Sequence, residues 1–367
     1  MQDERSAKHD RVAAFLAEGG LDGAVLSRRC NFSWYTCGAH NYVAGAADVG
    51  NSWLLVDRER ARVVTSNIEA TRLGGEELAG SGIEVEAFDY HEPGGPAAAL
   101  KAGAGGMRLA ADAPVPGLEL PALGDEFSRL RWALTPWEID RYRALARDTV
   151  AAVESAARRA EPGQTEFELA GLVSAELLGR GCVPWLLLVA ADERLRRHRH
   201  PLPTTTRAEH TFMLVACAER TGLIAACTRV AAFGRVGEEL AAKHRAVATV
   251  ESALIAATVP GASLGDIFAE AQAAYAEVGF PDEWRRHHQG GSCGYLPREV
   301  KAAPGSDTRA LANQAFAWNP SIAGTKAEDT ILCAADGPEV LAGATDWPTV
   351  QASWRGTGMA RPEILER

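Results

Sequence analysis

Two groups of histidines have the clearest potential for acid–base chemistry in this chain. His198 and His200 lie in an arginine-rich segment, whereas His287 and His288 are adjacent to each other. The unperturbed pKa of imidazole lies near neutrality, so a positioned histidine can accept a proton and return it, which contributes roughly 10²–10⁴-fold to a rate. Because nearly all residues from 194 to 200 are Arg or His, that segment could instead be a solvated basic loop.

Glycines follow the second histidine pair at positions 290, 291 and 294. Without a Cβ atom, a glycine lets a ligand approach the backbone closely. The alternative is a tight turn with no ligand. Both interpretations place this segment next to the imidazoles.

The seven cysteines are odd in number, scattered, and contain no C-x-x-C pair. This pattern favours reduced thiols over a disulfide framework or a zinc site. Cys217 and Cys293 could serve as nucleophiles, but no histidine can be assigned to either of them from the sequence. We therefore expect most cysteines to be small buried hydrophobic residues.

Charge and hydropathy narrow the possible partners. The formal net charge is −10, and no Lys/Arg cluster is interleaved with aromatic residues. This composition argues against nucleic acid or an anionic membrane surface as the main partner. Because no segment approaches 18 uninterrupted apolar residues and the N-terminus lacks a basic start followed by an apolar run, we expect no membrane span, no signal peptide and a cytoplasmic location.

The elements that must position these residues fall into two domains. In the first third of the chain, a helical pattern at 7–18 precedes strand patterns at 22–27, 52–56 and 61–65. Helices mixed with short strands and Gly/Pro-rich connections are typical of a small α/β domain. We assign this domain to residues 1–130.

A second domain is predicted for residues 131–367. It begins near Thr135-Pro136, where Thr can cap a helix, Pro fits the first helical position and Glu138 can complete a capping box. A second Thr-x-x-Glu box occurs at 165–168. Beyond it, the pattern predicts a hairpin of strands 212–217 and 223–228.

Helical patterns at 236–257 and 264–278 follow the hairpin, and the last third returns to short strands and glycines. The fold class is therefore α/β (α+β).

Several motifs of the second domain resemble, in order, those of the pita-bread superfamily of creatinase, prolidase and aminopeptidase P. The Pro-Gly-x-Thr-Glu turn at 162–166, the pair Thr228-Arg229 and the segment Glu328-Asp-Thr-Ile-Leu332 carry this resemblance. The segment Asn31–Gly38 is similar to the N-terminal domain of creatinase and prolidase. The resemblance implies a creatinase-type N-terminal domain followed by a pita-bread catalytic-type domain, assembled as a homodimer.

The resemblance also shows which residues depart from the family pattern. Metal-dependent members hold two metal ions with two Asp, one His and two Glu ligands, and the matching positions here are Val215, Ala226, Gly291, Asn319 and Glu328. Four of these five residues lack an anionic oxygen or an imidazole, and one carboxylate cannot offset four positive charges. We therefore expect a metal-ligand-deficient member with no metal and no other cofactor.

The family's proton-handling histidine can be matched in two ways. Counting seventeen residues back from Val215 selects His198, whereas the local His-Pro pattern selects His200. His287 stands four residues before Gly291, where related enzymes keep a histidine that faces the substrate. Creatinase, a relative that works without a metal, implies that such a histidine moves the protons.

The remaining candidates follow from the same resemblance. Glu328 is expected to bind a cationic substrate group or a catalytic histidine, unless it pairs only with Lys326. Arg229 is expected either to contact substrate or to form an internal ion pair. In creatinase-like dimers a loop of the N-terminal domain of one subunit closes over the site of the other, and the candidates for that rim are Trp34, Tyr35, His40 and Asn41. The predicted catalytic residues are His198, His200, His287 and Glu328, and the predicted substrate-binding residues are His288, Arg298, Glu299, Trp318, Asn319, Lys326, Arg229, His40 and Tyr35.

Three functions remain open at this stage. The first is metal-independent hydrolysis of a C–N bond in a small polar amide, amidine or amino-acid-like molecule, with histidine as acid and base. The second is elimination, isomerisation or cyclisation in the same pocket, which needs no activated water. The third is a non-catalytic binding module.

Overall fold

The computed structural model describes residues 2–367 and divides the chain into two compact units, Met1–Arg131 and Trp132–Arg367. None of the helices formed by residues 2–367 is both long and apolar enough to cross a membrane. Both units mix helices with sheets, which confirms the α/β (α+β) class.

The first unit is built on a five-stranded mixed sheet with the order β4-β3-β2-β1-β5. The apolar side chains Val25, Leu55, Val64 and Leu109 pack together with Leu100 from a helix and form one buried core. The predicted helix and strands of this region all form. The elements are α1 (Gln2–Glu18), β1 (Gly23–Arg28), α2 (Arg29–Tyr35), β2 (Val49–Asp57), β3 (Ala61–Ser66), α3 (Asn67–Arg72), β4 (Glu84–Phe88), α4 (Gly95–Ala104) and β5 (Leu109–Ala111).

The second unit contains a four-stranded sheet, β18-β8-β7-β6, and a five-stranded sheet, β10-β9-β11-β14-β15, with two separate hairpins. Its helices are α5 (Pro136–Arg159), α6 (Glu166–Gly179), α7 (Glu193–Arg197), α8 (Glu238–Ala257) and α9 (Leu264–Glu277). Its strands are β6 (Val183–Ala191), β7 (Thr211–Arg220), β8 (Leu223–Ala232), β9 (Gly290–Cys293), β10 (Val300–Lys301), β11 (Gln314–Trp318), β12 (Ser321–Ile322), β13 (Thr325–Lys326), β14 (Asp329–Ala334), β15 (Gly337–Val340), β16 (Thr349–Trp354), β17 (Thr357–Pro362) and β18 (Leu365–Glu366).

Both predicted capping boxes form. Thr135 accepts a hydrogen bond from the Glu138 backbone N–H at 3.3 Å, and Glu138 accepts one from the Thr135 N–H at 2.7 Å. The same reciprocal pair starts α6 at Thr165 and Glu168. These contacts satisfy backbone donors that a helix N-terminus otherwise leaves without partners.

The β7–β8 hairpin connects the two sheets of the second unit. Thr228 lies opposite Val215 on one side and forms an antiparallel bridge to Glu328 on the other. Side chains alternate along a strand, so Val215, Ala226 and Thr228 share one face of the hairpin. That face is directed toward Glu328, because the Thr228 hydroxyl donates to the Glu328 carboxylate at 2.8 Å.

Arg229, the next residue along β8, belongs to a buried ion-pair network. Its guanidinium lies 2.9 Å from Glu154 and 2.9 Å from Asp329. Arg361 lies 2.6 Å from the same Asp329 and 2.7 Å from Glu251. Arg229 therefore forms the internal ion pair that was one of its two predicted roles.

Candidate active site

A buried carboxylate bound by two cations forms one half of the candidate site. Glu328 lies 2.7 Å from the Lys326 ammonium and 3.0 Å from the Arg298 guanidinium. Burial acts to raise the pKa of Glu328, but the charges of Lys326 and Arg298 outweigh it and hold the pKa at about 2. Both carboxylate oxygens are thus occupied, and Glu328 holds the two cations in place instead of being available to a cationic substrate group.

Three imidazoles form the other half of the site. We call His200, His287 and His288 the imidazole cluster. The Nε2 atoms of His200 and His287 are 3.0 Å apart, and the ring centroids of His287 and His288 are 4.6 Å apart. His287 is buried, whereas His200 is exposed, so the pair connects the interior with solvent.

The imidazole cluster is surrounded by positive charge. Burial, followed by the charge of Lys326, lowers the pKa of His287 to about 2. Burial, followed by the charge of Arg298, lowers the pKa of His288 to about 4. Burial and then Lys326 also lower the pKa of His200, with Glu328 acting in the opposite direction. The three rings are therefore neutral at pH 7, and each retains one N–H group and one basic nitrogen.

The hydrogen bonds of His287 form a short relay. Its Nδ1 lies 3.2 Å from the Ser321 hydroxyl, and its Nε2 contacts His200. Ser321 also accepts a hydrogen bond from Arg199 at 3.0 Å, and Arg199 pairs with Glu283. Because two facing Nε2 atoms can share only one proton, a proton moved onto His200 can shift the tautomer of His287.

Ser321 and Arg199 were not predicted from the sequence. Ser321 pairs with Lys326 across the β12–β13 hairpin, so the turn places both residues at the site. The only available signal was the short spacing of Ser321, Lys326 and Glu328 along the chain. Such spacing does not determine the hairpin register.

Two polar atoms of the site lack a hydrogen-bonding partner within residues 2–367. They are Arg298 Nε and the side-chain oxygen of Asn319, Oδ1. Asn319 is only 3% exposed, and its backbone N–H donates to Gln289 at 3.0 Å. A buried polar group without a partner costs free energy unless a ligand or water satisfies it. These two atoms therefore indicate where a ligand could bind.

The structure places several predicted residues away from the imidazole cluster. His198 is exposed at the end of α7 and does not take part in the contacts that join His200 to His287. Trp318 is buried in the hydrophobic core, with its ring stacked on Phe316, and its indole N–H donates to Thr258 at 2.9 Å. Trp318 is thus a core residue and not the substrate-binding residue that the resemblance implied.

Glu299 lies beside Gly294. Its carboxylate would be 3.7 Å from a Cβ atom added at Gly294. Burial, and to a smaller extent the Glu299 charge, raise the pKa of Cys293 to about 12, and burial raises that of Cys217 to about 11. Both cysteines are therefore buried, protonated thiols, as expected for small buried hydrophobic residues.

The N-terminal residues expected at the rim have partners within their own unit. The buried Tyr35 hydroxyl contacts His9 Nδ1 at 2.8 Å, and Trp34 is also buried. Asn41 is buried and donates to the Ser27 carbonyl at 2.9 Å. Only His40, which lies 3.5 Å from Glu77, remains partly exposed among the four.

Three of the positions matched to the family's metal ligands carry an apolar side chain or no side chain. Val215 and Ala226 present apolar side chains on the hairpin face described above. Gly291 has φ +151°, and a Cβ atom added there would lie 2.0 Å from the Val300 carbonyl oxygen. Among residues 2–367, the imidazole cluster is the group of metal-capable side chains whose ligand atoms come within 4.8 Å of one another.

The comparisons with known proteins agree with this architecture. The Xaa-Pro dipeptidase of Bacillus anthracis superimposes with a TM-score of 0.78 at 18% identity, covering 99% of this chain and 100% of that one. The prolidase of Pyrococcus horikoshii gives 0.77 at 19% identity, covering 92% and 98%. The N-terminal domain of FACT complex subunit SPT16 from chickpea, Cicer arietinum, gives 0.67 at 12% identity, covering 93% and 97%.

No curated protein sequence matches the chain. The model of metallopeptidase family M24, however, matches residues 140–335, which is more than half of the chain. The structural likeness to prolidases confirms the pita-bread fold that the sequence motifs predicted. Because the model of this family covers more than half of the chain, the chain belongs to metallopeptidase family M24.

Proposed function

We propose that this protein is a metal-independent hydrolase that cleaves a C–N bond in a small polar amide, amidine or amino-acid-like molecule. The observation that carries the proposal is the pairing of Glu328 with Lys326 and Arg298 beside three neutral imidazoles. Positive charge from side chains lies where the family resemblance implies metal ions. The imidazoles supply the proton-transfer groups.

A dinuclear metal centre does not fit the residues present. Val215 and Ala226 offer no ligand atom, and the backbone at Gly291 leaves no room for a histidine side chain. The oxygens of Glu328 already bind two cations. Two metal ions would have to displace both Lys326 and Arg298 from a buried position and would regain only one carboxylate.

The remaining residues can perform each proton transfer that hydrolysis requires. The exposed imidazole of His200 accepts a proton from water while the water oxygen bonds to the substrate carbon and the electron pair of the C=O or C=N bond moves onto its oxygen or nitrogen. The resulting His200 imidazolium donates from Nε2 to the neutral ring of His287, whose Nδ1 faces Ser321. The C–N bond then breaks, and the leaving nitrogen receives that proton from the imidazole pair. Lys326 and Arg298 stabilise the negative charge that develops on the substrate oxygen or nitrogen.

Product release from a panel of small amides and amidines would test this proposal. We expect His200→Ala to lower turnover by roughly 10²–10⁴-fold, the range for loss of a positioned acid–base group. His198→Ala, two residues away and exposed, should retain turnover within about twofold. Equal losses in the two variants, or no loss in either, would contradict the assigned role of His200.

A binding module is the second candidate. It is favoured by the similarity to the N-terminal domain of FACT subunit SPT16. Ligand binding without any product across the panel would support it.

Elimination, isomerisation or cyclisation could use the same relay, and a product that contains no added water would identify that class. The homodimer and the cytoplasmic location stay predictions.

A further inference from the structure

The β12–β13 hairpin that carries Ser321 and Lys326 is too short to hold its own position. Each strand has two residues, with Ser321 paired to Lys326 and Ile322 paired to Thr325. An isolated pair of strands has little stability of its own. Lys326 also has a long flexible stem, so its ion pair with Glu328 fixes the ammonium group without fixing the backbone. The placement of Lys326 therefore depends on what packs against the hairpin.

Helix α8 packs against the rear face of this hairpin. Side chains alternate along a strand, so Ser321 and Lys326 share the face at the site, and Ile322 and Thr325 share the opposite face. Helix α8 contacts both strands, and Ile322 belongs to the same buried core as Val247 of that helix. The residues behind the site are thus covered by α8.

A buried imidazole of α8 makes a polar contact with the rear face. His244 is 3% exposed, and its Nδ1 lies 2.6 Å from the Thr325 hydroxyl, whereas its Nε2 lies 2.9 Å from the Pro362 carbonyl oxygen. A carbonyl oxygen can only accept, so Nε2 carries the proton and Nδ1 accepts from Thr325. Burial lowers the pKa of His244, and the Pro362 carbonyl and the charge of Glu363 oppose this only in part. The ring is therefore neutral at pH 7 and has a partner on each nitrogen.

The other strand of the hairpin is held by a different helix. The Ser321 backbone N–H donates to the Tyr275 hydroxyl of α9 at 2.9 Å. That hydroxyl in turn lies 2.9 Å from Gln289 Oε1. Strand β12 is thus anchored through Tyr275, and β13 through His244. Loss of the His244 contact should therefore displace Lys326 more than Ser321.

We propose that His244 is a positioning residue, which fixes Lys326 through the Thr325 hydroxyl and so keeps the Lys326 charge beside the imidazole cluster. The inference rests on the proposed function for its effect on turnover. A misplacement of about 1 Å at a group that acts on the reacting atoms can cost on the order of a hundredfold in rate. The alternative is a structural role only, in which His244 joins α8 to the end of β17.

Two substitutions of His244 separate these roles, because each preserves one of its two hydrogen bonds. His244→Asn places an amide near the position of Nδ1, so its oxygen can still accept from Thr325. His244→Gln places an amide near the position of Nε2, so it can still donate to Pro362. We expect turnover within about threefold of the parent for His244→Asn and a loss of at least about tenfold for His244→Gln. Equal losses, or a larger loss for His244→Asn, would overturn the proposal.

Thr325→Val tests the same contact from its other end and serves if the His244 variants do not fold. It removes the hydroxyl with little change in shape and should lower turnover at least about tenfold. Thr258→Val is the matched control, since this buried hydroxyl contacts the Leu254 carbonyl and the Trp318 indole instead of the hairpin. The control should keep turnover within about twofold. Urea denaturation verifies that both variants are folded, and equal turnover in the two would contradict the assignment.

Histidine NMR titration gives a readout that does not require turnover. The charge of Lys326 lowers the pKa of His200, so displacement of Lys326 should raise that pKa in His244→Gln and Thr325→Val. His244→Asn and Thr258→Val should leave it in place. All four variants keep the other groups that face this ring, which are Glu328, Arg298, Lys301, His287 and His288.

The titration also separates this inference from the proposed function. An unchanged pKa of His200 in folded Thr325→Val would overturn the inference, whether or not any compound is turned over. A raised pKa of His200 without turnover of any compound would leave the inference and remove the hydrolase.

Discussion

Two buried charged regions lie on opposite sides of the same pair of strands. Thr228 and Glu328 face the candidate site, whereas the next residues, Arg229 and Asp329, face the internal ion-pair network. In the network, two arginines are shared among three carboxylates with contacts of 2.6–2.9 Å. At the site, two cations contact one carboxylate, and two polar atoms have no partner within residues 2–367.

The difference indicates what each region does. A network in which each charge meets an opposite charge is complete without a ligand, so its function is structural. A region with excess positive charge and partnerless atoms lacks a component that the chain does not supply. Burial alone does not separate the two regions, because Lys326 and Glu328 at the site are as deeply buried as Arg229 and Asp329 in the network.

The largest expected difference between the regions is in stability. Arg229→Met would leave Glu154 with an uncompensated buried charge and Asp329 with Arg361 as its remaining cation, so the free energy of unfolding should fall by about 3–5 kcal/mol. Lys326→Met leaves Glu328 paired with Arg298 and reduces the excess positive charge, so it should cost less than about 1 kcal/mol. Urea denaturation of both variants measures this difference, and similar losses would show that the two regions are not distinct in kind.

A smaller effect is expected at the glycines. Gly291→Ala should lower the free energy of unfolding by about 1–3 kcal/mol, because the added Cβ atom would overlap the Val300 carbonyl at a positive φ. Gly294→Ala is the matched control, since the nearest atom to its added Cβ is 3.7 Å away. Thermal unfolding of both variants checks this prediction. Equal stability would mean that Gly291 could accept a side chain after all.

The smallest expected effect is a shift in pH dependence. His200 must be neutral to accept a proton, and its pKa is lowered, so activity should persist below the ordinary histidine range and fall as the pH drops through that lowered pKa. Lys326→Met removes a cation that lowers the pKa of His200. The variant keeps the other groups that face this ring, which are Glu328, Arg298, Lys301, His287 and His288.

The acid limb of the pH–rate profile of Lys326→Met should therefore move to higher pH. Histidine NMR titration of both proteins checks the same shift independently of turnover. A limb that stays in place or moves to lower pH would contradict the assigned field of Lys326.

Much of the fold was predictable from local patterns. The capping boxes at Thr135 and Thr165 and the hairpin β7–β8 form as predicted, because each depends on neighbouring residues or on a short turn. Strand β6 was not predicted, since its apolar run does not alternate and contains Pro184. The structure explains that proline, because β6 is the edge strand of its sheet.

The candidate site was less predictable. Sequence alone left His198 and His200 as alternatives, because the helical turn α7 and the loop after it change the register between the basic segment and β7. The pairing of Glu328 with Lys326 and Arg298 depends on the β12–β13 hairpin and on the position of β10, which are non-local contacts. Residue types indicated the chemistry, but tertiary structure determined which residues meet.

Metal content is the most direct test of the claim that side-chain cations have replaced the family's metals. The protein would be produced in medium supplemented with manganese, cobalt and zinc, dialysed, and analysed for bound metal alongside turnover before and after chelation. We predict far less than one ion per chain and turnover unchanged by the chelator. Near two ions per chain held through dialysis, with turnover lost on chelation, would contradict the account.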